Sequence, residues 1–154
     1  MENKTIMRYN IADYLEVGEG AYEFMGAGFN TLDESPTAQI DSKTYISDKS
    51  QSSQIKGYQT KFAFDTDLIL SEKAVMELYE IGRNQKTGAD AERDYVRVEL
   101  FKPVDGEANT FEARKFKVAV EVASVAGTGG EVIKVTGNLN GVGNFVEGTF
   151  NTTT

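Results

Sequence analysis

The sequence predicts a mainly β domain, an antiparallel β-sandwich or barrel of about six or seven strands with one flanking α-helix. Three observations carry this reading. Runs of alternating apolar and polar residues recur along the chain, one segment alone has convincing helical periodicity, and neither a strand–helix–strand rhythm nor an internal repeat is present. At 154 residues the chain has the length of one domain, so residues 1–154 are read as a single unit.

Residues 1–20 are mixed, with Ile11, Tyr14, Leu15 and Val17 as apolar points, and read as an N-terminal arm. Residues 22–29 (YEFMGAGF) have extended character, with glycines that suggest a bulge or close packing. From 30 to 56 the chain is polar, and only Ile40, Tyr45, Ile46 and Ile55 interrupt it. Loops beyond about 12–15 residues are uncommon in compact domains and tend to be functional or disordered. The scattered apolar anchors favour a long loop that docks on something.

Residues 58–65 alternate, with Tyr58, Thr60, Phe62 and Phe64 on one face and Gln59, Lys61, Ala63 and Asp65 on the other. The helix follows. Ser71 is a suitable N-cap, Leu70 and Val75 can form a hydrophobic staple, and Val75, Leu78, Tyr79 and Ile81 make an apolar stripe that Gly82 can close. Residues 94–101 read as a strand with Val96, Val98 and Leu100 inward. Residues 113–125 form the longest alternating run, placing Phe116, Val118, Val120 and Val122 opposite Lys115, Lys117, Ala119, Glu121 and Ala123. A glycine-rich turn at 127–130 leads to residues 131–154, which read as a final β-hairpin with Asn140-Gly141 as a type I′ turn and a polar tail at 151–154.

Composition excludes several functions. The chain has no Cys and no His, which removes disulfides, thiol nucleophiles, Ser-His-Asp catalysis and imidazole or thiolate metal ligation. The net charge is −8 without any Lys/Arg cluster, so tight binding to nucleic acid phosphates has no basis. No apolar run approaches a membrane span or a signal-peptide core, and the expectation is a protein that begins in a cytoplasm, with no membrane partner. The glycosylation-like Asn3-Lys4-Thr5 and Asn151-Thr152-Thr153 are therefore read as ordinary polar residues.

Three apparent catalytic motifs fail on context. Ser53-Gln-Ile-Lys56 with Lys86-Thr-Gly88 mimics serine β-lactamase elements, but Ser53 precedes a strand and Lys86 follows a helix. The glycines from Gly137 to Gly143 superficially match a dinucleotide fingerprint, yet a strand follows them where that motif opens a helix. The carboxylate pairs Asp65/Asp67 and Glu92/Asp94 lie at loop edges and read as solvated negative faces. Catalytic, metal-binding and cofactor-binding residues are accordingly assigned to none, and the protein is expected not to be an enzyme.

Four features together carry a family resemblance: the early strand ending Met25-Gly-Ala-Gly-Phe29, the long polar loop, the strand Gly57-Tyr-Gln-Thr-Lys-Phe-Ala-Phe-Asp65 leading into the single helix, and Asn140-Gly-Val-Gly-Asn-Phe-Val-Glu-Gly-Thr-Phe150 near the C-terminus. In their order and in overall length the chain resembles the major tail tube proteins of tailed bacteriophages and related phage-tail-like particles. The resemblance implies a structural subunit of the virion tail, assembled in the host bacterial cytoplasm. Hexameric rings would stack into a hollow conduit through which DNA passes during ejection without specific binding. It implies as partners further copies of the chain and other tail proteins (tape measure, tail terminator, and baseplate or initiator), with no cofactor. On this resemblance Asp41, Lys43, Tyr45, Ile46, Asp48 and Gln54 are candidates for an inter-subunit loop, and Gln59, Lys61, Lys117, Ala119 and Glu121 for the lumen lining. The alternative is a small β-sandwich binding, adhesion, baseplate or decoration module that forms no tube.

Overall fold

A computed structural model describes residues 5–153. Ten strands and one α-helix are present among them. The strands are β1 (Ile11–Gly18), β2 (Ala21–Phe24), β3 (Phe29–Ser35), β4 (Ala38–Lys43), β5 (Ser52–Tyr58), β6 (Lys61–Asp67), β7 (Glu92–Pro103), β8 (Thr110–Ala126), β9 (Lys134–Gly141) and β10 (Val146–Asn151); the helix α1 spans Lys73–Arg83. All observed pairings are antiparallel. The main sheet runs β2-β1-β7-β8-β9-β6-β3 with β10 also on β8, while β4 and β5 form a separate two-stranded sheet. The mainly β antiparallel class with one helix is as expected from sequence.

The main sheet curls. Its edge strand β3 returns toward the other wing, where Glu34 bonds Arg114 of β8 and lies against Arg97 of β7. Arg8, just ahead of β1, also donates to the Leu32 carbonyl of β3 at 3.3 Å. The enclosed core joins Leu15, Leu32, Phe62, Phe64, Tyr95, Phe116, Val118, Val135 and Leu139 from six strands to Ala74, Leu78 and Ile81 of α1. The Phe62 ring meets Tyr95 and Phe116 edge-on, with centroids 4.7 and 4.9 Å away, a favoured aromatic geometry.

Several expectations need correction. Residues 11–18, read as part of an arm, are β1, paired to both β2 and β7; Leu15 is fully buried. The short alternation Ile11–Val17 is a strand signal. The 30–56 loop is the edge strand β3 followed by the β4–β5 hairpin. Tyr58 ends β5 and is exposed, so it does not share a continuous inward face with Phe62. In β7 the residue that reaches the main core is Tyr95. Val96 and Val98 point to the other face and build a second cluster with Ala12 and Ala113, covered by Tyr14, Tyr22, Leu100, Phe111 and Phe150. Period-2 alternation cannot choose a side when both faces of a central strand are buried.

The end of the chain differs most. β9 pairs with β6 and β8, and β10 pairs with β8, so they do not form a hairpin with one another. Asn140 and Gly141 remain within β9, and positive φ falls at Gly143 (72°). Gly137 has a packing reason: a Cβ there would collide with the Glu121 carbonyl, beside the irregular register between Val122 and Ser124.

The helix falls where its stripe predicts, with Val75, Leu78 and Ile81 buried and Tyr79 packed at the margin. Its ends differ. The N-cap is Glu72, without a side-chain cap bond, and Leu70 is 84% exposed, so neither the Ser71 cap nor the staple forms. Gly82 lies within α1 against β8, where a Cβ would come 2.6 Å from Val122 Cβ. The left-handed terminal residue is instead Gln85 (φ 52°), followed by the Lys86 N–H bond to the Ile81 carbonyl. We expect Leu78→Ala to cost about 2–5 kcal/mol, as measured by urea unfolding; a change below about half a kcal/mol would contradict this packing.

Candidate functional site: the projecting hairpin and its root

β4 and β5 pair with each other through Ile40↔Ile55, Asp41↔Gln54 and Lys43↔Ser52. Ile40 and Ile55 share one face of the ladder with Ser42 and Ser53, whose hydroxyls lie 3.2 Å apart, and Asp41, Lys43 and Gln54 occupy the other. The tip is locally ordered. The Tyr45 N–H donates to Asp48 Oδ2 at 3.0 Å, the Asp48 N–H donates to the Tyr45 carbonyl at 2.9 Å, and Lys43 Nζ stands 5.4 Å from the Tyr45 ring centroid. Ile40, Tyr45, Ile46, Ile55 and Tyr58 are all exposed. All six residues expected in an inter-subunit loop thus belong to one projecting hairpin.

The root is narrow. Ser35 ends β3, Thr37 adopts a left-handed φ of 50°, and the Gln59 N–H donates to the Thr37 carbonyl at 3.0 Å on the return crossing. A positive φ at a β-branched residue is a true outlier among non-glycine conformations. The neighbouring Thr60 carbonyl accepts from the Gly141 N–H at 2.8 Å, fastening the root to the end of β9.

Beneath the root lies a polar network that sequence reasoning missed. Arg114 donates two bonds to Glu34, at 3.1 and 2.7 Å, and its guanidinium stacks 5.1 Å from the Phe116 centroid and 5.4 Å from that of Phe145. Arg97 reaches Glu34 (3.5 Å), Asp13 (3.4 Å) and the Tyr95 hydroxyl (3.1 Å). Tyr95 in turn donates to Asp13, which also receives Arg8 at 2.6 Å. Asp13 is 1% exposed and Arg97 7%. Burial, then the Asp13 charge, holds the Tyr95 hydroxyl well above its ordinary range. Burial works to lower the Arg97 guanidinium, but Tyr95, Asp13 and Glu34 outweigh it and leave it raised. The legible signal was a charged residue flanked by apolar ones in a strand, as in Val96-Arg97-Val98 and Ala12-Asp13-Tyr14.

Four of the five lumen candidates come together on the outward face. Register aligns Lys61, Asn140, Ala119 and Glu92 across β6, β9, β8 and β7, with Glu121 opposite Asn138 one step along. Two of its lysines have carboxylate neighbours, Lys117 at 3.8 Å from Glu92 and Lys115 at 3.9 Å from Asp94, and Asn140 donates to Glu121 at 3.1 Å. Gln59 stands apart, at the hairpin root. Among the described residues no helix is long and apolar enough to cross a membrane, and no His/Cys/Asp/Glu group converges as for a metal ion.

No protein-family model and no curated protein matches the chain. Its fold is similar to a chain in the sixfold-symmetrised cryo-EM structure of the anti-feeding prophage (AFP) baseplate, with a TM-score of 0.54 over 98% of each chain at 7% identity. The likeness runs end to end and establishes a shared fold.

Proposed function

We propose that this chain is a structural subunit of a phage-tail-like assembly, and specifically of a tail tube in which sixfold rings stack into a conduit for DNA. The observation that carries the reading is the end-to-end fold likeness to a component of a sixfold-symmetrised baseplate. The hairpin supports it, because its isoleucines and tyrosines stay exposed among the described residues and would find cover in an assembly. Hexameric self-association, stacking, and contact with tape measure, terminator and initiator proteins in a virion tail follow from that role, which requires no catalysis or cofactor.

The outward face of β6–β9–β8–β7 suits a conduit wall. Lys115 and Lys117 lie near carboxylates, which lowers what a passing polyanion would gain from counterion release there, while Lys61 stands exposed opposite Asn140. We assign Lys61, Lys117, Ala119 and Glu121 to the lumen on this ground, with Gln59 at its rim.

Size-exclusion chromatography and negative-stain microscopy of concentrated protein test the proposal, with rings or hollow tubes as the expected result. A strictly monomeric protein over a broad range of concentration and salt, unresponsive to cognate tail parts, would refute it. Rings that never stack would favour a baseplate subunit, the second reading, which the origin of the similar chain specifically supports.

A further inference from the structure

A cleft of about 490 Å³ opens at the hairpin root, between Pro36, Tyr58 and Thr60 on one side and Asn144 and Phe145 on the other, with Phe116 in its wall. Its charged lining residues are Glu34 and Arg114, and they are bonded to each other through two contacts. An anionic ligand would therefore find no unpaired cation there. The cleft suits an apolar side chain entering past a polar rim.

The same molecule carries a matching projection. Ile46 has a relative exposure of 109%, more than its reference state, and Tyr45 beside it is also exposed. The Asp48 bonds already fix the backbone that presents them, so little ordering remains to be done on docking. The tip cannot fill its own cleft: five residues of β4 separate Lys43 from the root, about 17 Å at strand rise, and the β4–β5 ladder holds it away.

Charge points to a second copy of this chain as the occupant. Residues 38–58 contain Lys43, Lys49 and Lys56 against Asp41 and Asp48, a net +1; with −8 for the whole chain, the remainder carries −9. The hairpin is thus the cationic excursion of an acidic protein and is drawn to the body of another copy. A projection and a cleft at separate places on one molecule make a heterologous contact, which closes into a ring or continues as a filament.

We infer that the root cleft of one subunit receives the hairpin tip, Tyr45 and Ile46, of a neighbouring copy. This rests on the tail-subunit reading above and names the surface through which its copies join.

The cysteine-free sequence permits a direct test. Full-length Ile46→Cys and Asn144→Cys proteins, mixed under assembly conditions and oxidised, should yield a disulfide-linked mixed dimer, since a bridge requires Cβ atoms about 3.5–4.5 Å apart. Lys86→Cys, at an exposed site beyond α1, should give none with Asn144→Cys. A second pair, Tyr45→Cys with Gln59→Cys, guards against local misfolding of the first. Ile46→Asp should raise the concentration needed for assembly about tenfold or more. Absence of the mixed dimer with both pairs overturns the docking. So does preferential linkage of Asn144→Cys to Met7→Cys, which would put the N-terminal segment in the cleft. Tubes without the mixed dimer leave the tail-subunit reading standing, whereas the mixed dimer without rings or tubes keeps the docking and removes the tube.

Discussion

Replacing residues 41–54 by a short Gly/Ser linker is expected to leave the monomer folded and to abolish assembly. The buried core residues nearest this segment are Leu32 and Phe62, and β4 and β5 pair with each other rather than with the main sheet. Deletion removes the outer part of a ladder that pairs with itself, and no core side chain. The closure penalty also changes only slowly with loop length. Thermal unfolding followed by circular dichroism should therefore move little, while microscopy should show no rings or tubes. Persisting tubes would shift the contact to the segments near the two termini. An unfolded monomer would show that the hairpin belongs to the cooperative core.

The second large effect is expected inside the curled sheet. Asp13→Ala should destabilise the protein by about 3–5 kcal/mol, the range for removing one partner of a buried ion pair. The loss leaves Arg97, whose exposure is 7%, with Glu34 at 3.5 Å as its remaining carboxylate and deprives the Tyr95 hydroxyl of its acceptor. Tyr95→Phe, which keeps both charges, should cost about 1–3 kcal/mol. Urea unfolding at neutral pH measures both. The two variants differ again in alkali. The folded Tyr95 hydroxyl titrates well above its ordinary value of 10.0, so its contribution is intact below about pH 10. Above that the unfolded chain ionises first, and the contribution fades as pH climbs toward the folded value. Tyr95→Phe should flatten that alkaline limb of the stability curve, and an unchanged limb would remove Tyr95 as its source.

Much of this architecture was legible because it rests on local periodicity. Phe116, Val118 and Val120 alternate over enough residues to fix their face, and Val75, Leu78 and Ile81 fix the helix phase. What could not be read locally depends on partners distant in sequence. Asn140-Gly141 has the chemistry of a tight turn, yet β9 runs on through it because Thr60 and β8 supply its hydrogen bonds. The polar 41–54 segment has too few apolar residues to declare a strand, although Ile40 and Ile55 face each other in its ladder. The Asp13–Tyr95–Arg97–Glu34 network joins three strands that are far apart in the chain, so the apolar flanks of Asp13 and Arg97 mark single members while their pairing is visible only in the fold. The candidate contact residues share one hairpin, whereas the cleft at its root required the fold.

The topology also sets an order of events during synthesis. β6 and β3 reach the rest of the main sheet only through β9, which pairs with β6 on one edge and β8 on the other. Likewise β1 must wait for β7, about eighty residues later in the chain. The nascent chain therefore carries two unjoined sets of strands until residues 134–141 emerge, and folding by such non-local pairings falls roughly in the millisecond-to-second range. A ribosome-bound chain stopped before β9 would expose both edges at once. Closure of the curled sheet thus waits for residues 134–141, and until they are made the edges of β6 and β8 that β9 joins stay open together.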